Sequence, residues 1–239
     1  MDVPYKNRIA THFFIALLAV LFPFKTAFAQ TKDSKGGGYS IEGSTSMLSH
    51  FVHHGLSQTQ RDPSLQTNIY IPLGSQFRVG LWGSNVSYEG SNNHIWAKIL
   101  FDLKVEFNKD VELTLSYDLN QFYKDKTRNG NTTRFALNIM SYHVTYELES
   151  NWEGTETGAK RVGFGKSIKI YNSFDWDNEI GYTMVTVDNL QNFFDLRSKI
   201  SSSYNRLDFH LAATATSNPS QFNGNGDMFI ILGMGFKYQ

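Results

Sequence analysis

The chain has 239 residues, with 22 basic groups balanced by 22 acidic ones, no cysteine, and 15% aromatic residues. The balance leaves no basic excess to neutralise phosphates, which speaks against nucleic acid as a partner. The lack of cysteine excludes a disulfide framework and lipidation at a cysteine.

Lys6 and Arg8 precede the apolar run Phe13 to Phe22, and Ala27-Phe28-Ala29 supplies the small residues a signal peptidase reads. Residues 1–29 are therefore expected to be a secretory signal, cut before Gln30. The run is shorter than the ~20 residues a spanning helix needs. Its removal leaves a formal charge of −2. Residues 30–38 read as a flexible polar lead-in, and 39–239 as one β domain. No later segment reads as a transmembrane helix, so contact with a membrane would be through strands. The aromatic content suits girdles at two membrane interfaces.

In chain order, Tyr39 to His54 reads as the first strand. Tyr39, Ile41, Thr45, Met47 and Phe51 share one face, and Glu42, Ser44, Ser46, His50 and His54 the other. Residues 58–63 read as a loop. Leu65, Ile69, Ile71 and Leu73 mark a second strand, closed by Gly74-Ser75. Phe77, Val79 and Leu81 mark a third, with Arg78 opposite, and Tyr88 to Asn93 reads as a loop.

The clearest signal follows. From Ile95 to Phe107 the odd positions are all apolar, while Lys98, Asp102, Lys104 and Glu106 stand between them. After the turn Asn108-Lys109-Asp110, Val111, Leu113, Leu115, Tyr117 and Leu119 alternate with Glu112, Ser116 and Asp118. Strand side chains alternate faces, so this hairpin has one apolar and one charged face. The same alternation marks strands carrying Arg134, Glu147, Arg161 and Lys169. It recurs in those carrying Asp195, Arg197 and Lys199, then Asp208, and in the last strand Met228 to Tyr238.

Residues 134–149 can be one strand or two. Split near Ser141-Tyr142, the chain has twelve strands. Long connections at 57–63, 88–94, 124–132, 150–158, 188–192 and 217–226 then alternate with short ones throughout. Outer-membrane barrels pair long outward loops with short periplasmic turns and an even strand number. The expected fold is all-β: an antiparallel up-and-down transmembrane β-barrel of twelve strands, both termini periplasmic. Closure satisfies every backbone group within lipid. The aromatic ending at Phe236 and Tyr238, displaced by Gln239, is similar to an outer-membrane insertion signal.

Ser49 to Thr59 (SHFVHHGLSQT), then Pro63-Ser-Leu-Gln66 and Gly80-Leu-Trp-Gly-Ser-Asn-Val86, resemble the TorF-type porin-like family, also called Gcw_chp. Its members read S-D-Y-V-F-R-G-x-S-Q-T, P-A-x-Q and G-x-W-x-S-N-V at matching spacing. The resemblance implies an exported outer-membrane barrel of a Gram-negative bacterium, with no defined substrate. The family's Asp and Arg fall at His50 and His54 here, exchanging an ion pair for two imidazoles that titrate near neutral pH.

The residues expected to line the lumen are Glu42, His50, His54, Arg78, Lys98, Asp102, Lys104, Glu112, Asp118, Arg134, Arg161, Lys169, Asp195, Arg197 and Lys199. Both signs occur, so the lumen is either an open channel or one closed by internal ion pairs. A passive channel for small polar solutes or ions is the expected function, with outer-membrane lipid around it. The alternative is a closed structural barrel whose outer loops bind a partner. No cofactor is expected. No metal is expected either, because strand parity turns His53 away from His50 and His54 and no third ligand is evident. No enzyme is expected: the best pair, His143 and Thr145, faces the lumen and lacks a serine.

Overall fold

The computed structural model describes residues 41–88, 91–171 and 173–238, without the side chains of 91–93. The expected signal, the lead-in and Tyr39 lie outside the described residues. Twelve strands close into an antiparallel barrel: β1 (Glu42–Leu48), β4 (Ser64–Leu73), β5 (Phe77–Tyr88), β6 (Ser91–Asn108), β7 (Val111–Phe122), β8 (Gly130–Ile139), β9 (Tyr142–Glu149), β10 (Ala159–Tyr171), β11 (Phe174–Val185), β12 (Phe193–Tyr204), β13 (Leu207–Thr216) and β14 (Phe229–Tyr238). Two further short strands, β2 (Val52–His53) and β3 (Leu56–Ser57), pair only with each other.

Closure runs through β1. It pairs with β14 from Gly43↔Tyr238 to Leu48↔Gly233, and with β4 from Glu42↔Tyr70 to Leu48↔Ser64. Every barrel strand thus has two partners and no edge is left to aggregate. Turns at one end are short. Met140 (φ 53°), Asn205 (φ 54°) and Gly74 (φ 85°) take the left-handed backbone these reversals need. Apart from that between β5 and β6, connections at the other end are longer, and two carry 3₁₀ turns, Lys126–Arg128 and Pro219–Phe222.

Alternation in sequence becomes alternation in burial, with the usual polarity reversed. Leu65, Leu81, Ile99, Leu196, Leu211 and Leu232, from six strands, are exposed on the outer face. Asp102, Asp118, Glu147, Arg161 and Asp195 are buried. A monomer in water seldom exposes so continuous an apolar belt. Phe107, Tyr142, Tyr171, Phe174 and Tyr204 form an exposed aromatic rim at the short-turn end. No helix among the described residues is long and apolar enough to cross a membrane.

Three boundaries differ from the sequence reading. The first strand ends at Leu48, because residues 49–63 leave the barrel wall. β5 runs to Tyr88 and β6 starts at Ser91, so the expected loop 88–94 is mostly strand. The turn between β8 and β9 is Met140-Ser141, with Tyr142 already in β9 opposite Ile139.

Candidate functional site

The chain after β1 folds into the barrel. At its tip, His54 (φ 49°) and Gly55 (φ 77°) reverse the backbone between β2 and β3. Only glycine fits at the second position. A Cβ on Gly55 would overlap Thr216 Oγ1 and press on Asp195, and the backbone is left-handed there. Thr216 Oγ1 on β13 donates to the Gly55 carbonyl at 2.7 Å. On the opposite wall, His53 packs edge-on to Trp96 of β6 with ring centroids 5.4 Å apart. A hairpin that touches β6 and β13 at once spans the lumen.

Two apolar clusters wedge it there. Phe51, Val86, Tyr88, Trp96 and Phe122, with Leu48 and Trp82, cushion one side. Leu56 sits with Trp152, Ala159, Phe193 and Phe222, which cap it from the long-loop end. Polar contacts fix its base: His50 Nε2 and Ser57 Oγ are 2.7 Å apart, and Tyr88 Oη donates to Gln58 Oε1 at 2.6 Å. Burial, then the Arg61 charge, lowers the His50 pKa from the ordinary imidazole value. Burial, then His54 and Lys98, holds His53 well below it.

Beneath the hairpin a belt of charge, mostly buried apart from the 45% exposed Arg197, lines the long-loop half of the lumen. Arg161 donates through Nε and Nη2 to Asp195 at 3.0 and 2.7 Å and through Nη2 to Glu179 at 2.7 Å, and its Nη1 lies 3.6 Å from Glu147. Arg134 reaches Glu147 at 3.2 Å, Arg197 reaches Glu179 at 2.8 Å, and Lys98 lies 3.6 Å from Asp118. His54 Nε2 is 3.2 Å from Glu147 and 3.8 Å from Glu149. Gly181 makes this possible, since any Cβ there would occupy the space of the Arg161 guanidinium.

The short-turn half differs. Arg78 pairs with Asp102 at 2.7 Å, Lys104 with Glu112 at 2.7 Å, Lys199 with Asp177 at 3.2 Å and Lys237 with Asp208 at 2.9 Å, and all four cations are substantially exposed. Glu42 and Lys169 are also exposed near this end and join no ion pair among the described residues.

The histidines depart most from the sequence reading. His50 and His54 do not share a strand face: His50 turns to Ser57 and Phe229, and His54 to Glu147. His53 does not point away from His54; their ring centroids are 3.9 Å apart. With Glu149 they form a trio whose ligand atoms all lie within 4.8 Å of one another, so a third donor does exist. Positive φ at residue 54 ended the strict alternation on which the parity argument rested. The inward rings of Trp82, Trp96 and Phe122 were also missed, although their even numbering places them on the lumen face. So was the buried serine–histidine pair, which joins residues seven apart only through the reversal.

The family model described as "Bacterial protein of unknown function (Gcw_chp)" matches residues 32–225, and the chain belongs to that family. No curated protein matches it. Among solved structures, a KdgM porin shares 8% identity at a TM-score of 0.54, covering 83% of this chain and 99% of its own. A KdgM porin in complex with disordered oligogalacturonate gives 9% identity, the same TM-score and the same coverage. LpxR from Salmonella typhimurium gives 8% identity and a TM-score of 0.53, covering 82% and 99%. Such likeness describes the fold: a closed twelve-stranded porin-like barrel.

Proposed function

We propose that this Gcw_chp member is an exported outer-membrane barrel of a Gram-negative bacterium that passes small polar solutes or ions when the 49–62 segment leaves the lumen. The apolar belt and aromatic rim support placement in a lipid bilayer, with the short turns periplasmic. The observation that carries the channel reading is that the occluding hairpin is not itself a strand of the wall. β2 and β3 pair only with each other, so they can move without unzipping a barrel strand. Below them lies a vestibule of exposed ion pairs of both signs, which suits hydrated solutes and gives weak charge selectivity.

The buried belt around Arg161 favours a second reading, a barrel closed for good that serves through its outer loops. One measurement separates the two. The wild-type protein in a planar bilayer should conduct rarely or in brief openings. Replacing Val52–Ser57 by Gly-Gly should give a steady open level. A folded deletion variant that passes no current would establish the closed barrel instead.

A further inference from the structure

The tip of the hairpin brings His53 and His54 beside Glu149, a carboxylate that the ion pairs of the lumen leave without a cation of its own. In the outer lumen, Arg134, Arg161 and Arg197 are shared among Glu147, Glu179 and Asp195, and Lys98 pairs with Asp118. Glu149 is left over. Its one ion-pair contact among the described residues is His54 Nε2 at 3.8 Å. His53 likewise makes ring contacts but no hydrogen bond among them. Beside these two lies a cavity of about 30 Å³, lined also by Gln58, Asn120, Thr132 and Glu153, with room for a water or two.

We propose that His53, His54 and Glu149 form a binding site for a divalent first-row transition metal, zinc being the reference ion. Two imidazoles and one carboxylate are a donor set such ions favour over magnesium or calcium, which prefer all-oxygen shells. The donor atoms lie within 4.8 Å of one another. Ligands about 2.1 Å from a tetrahedral centre stand roughly 3.4 Å apart, so the Glu149 carboxylate and the rings must close by about an ångström. The cavity gives the fourth position to water. His54 and Glu149 keep 17% and 18% side-chain exposure, which leaves an approach for the ion. Bound there, the metal supplies the positive charge that Glu149 lacks and ties the hairpin to β9. The inference stands whether or not the barrel conducts.

The test uses the full mature barrel, purified without a polyhistidine tag, refolded in detergent and stripped with a chelator. Zinc is titrated by calorimetry and by competition with a chromophoric chelator. One ion per chain is expected, with a rise in the unfolding midpoint. His53→Gln and Glu149→Gln should each weaken binding by at least about tenfold. His210→Gln, outside the trio, should leave it unchanged. His54→Gln serves as a third probe should either other variant fail to fold by circular dichroism. No zinc binding by the wild type, or undiminished binding by the folded trio variants, would overturn the site.

Discussion

The two halves of the lumen are built on the same alternation and carry the same kinds of ion pair, yet they are physically different places. In the half near the long loops, Arg161 and Glu147 side chains keep only 5% and 4% exposure beneath a hairpin and its aromatic packing. In the half near the short turns, Lys104 and Lys237 keep 44% and 59%. Charge attraction scales inversely with the local dielectric, so a given distance carries far more energy in the first half than in the second. Removing one partner there leaves a stranded charge, whereas removing one near the turns leaves a hydrated one. What separates the halves is the fifteen or so residues after β1 that fold inward, not the wall itself.

The largest contrast comes from deleting one cation in each half. Arg161→Met strands the buried Asp195 and takes one cation each from Glu147 and Glu179, and should cost about 3–5 kcal/mol in a urea titration of the lipid-refolded barrel. Lys104→Met, which frees Glu106 and Glu112 into water, should cost less than ~1 kcal/mol. Equal losses would mean that the halves share one environment.

A gentler probe uses a single methyl group. Gly181→Ala must displace the Arg161 guanidinium from its partners and should cost roughly 1–3 kcal/mol as overpacking. Gly235→Ala meets its nearest neighbour, Ser46 Cβ, at 3.4 Å. That substitution should fall within about 0.5 kcal/mol of wild type. Denaturation midpoints of the two variants side by side decide it.

The wall was legible in the sequence and the plug was not, for a physical reason. Period-two alternation reports a regular strand with two different faces, and Ile95 to Leu119 carries it without a break, so strand and face followed directly. Loop lengths then gave twelve strands. The site depends on a segment where alternation stops. Ser49 to His54 contains apolar and polar residues at strand-like spacing, so it reads as a continuation of β1. Nothing local to His54 announces positive φ except the glycine after it. The pairing of Arg161 with Asp195, two strands away, is likewise a property of closure and not of any one strand.

Acid offers a third way to test the plug. His50 is buried against Ser57 and the Phe229 ring, with Arg61 beside it and Asp227 pairing with that arginine. Its folded pKa lies below the value of ~6.5 expected unfolded, so the neutral form is the one the fold favours. Stability from this group is therefore present above that unfolded value and is lost as pH falls through the folded one. The base of the hairpin should loosen between pH 7.5 and 5, seen as faster amide exchange at residues 50–57. His50→Gln should flatten that dependence. Wild-type exchange that slows on acidification, after correction for intrinsic rates, would contradict the sign.

The smallest effect belongs to the exposed half. Lys199 lies 3.2 Å from Asp177 with 32% and 21% side-chain exposure, and Ser167 also donates to that carboxylate. Lys199→Gln removes a cation but leaves Asp177 hydrated and still hydrogen-bonded, so stability should change by less than ~0.5 kcal/mol. The pair should instead show itself in permeation. In the Val52–Ser57→Gly-Gly variant the vestibule would be continuous with the outer mouth, and losing Lys199 adds net negative charge beside the path. Reversal potentials in a salt gradient should then shift toward cations, and the shift should shrink as ionic strength rises and the Debye length falls. A stability loss comparable to that of Arg161→Met, with no shift in reversal potential, would place Lys199 in a sealed interior and erase the distinction between the two halves.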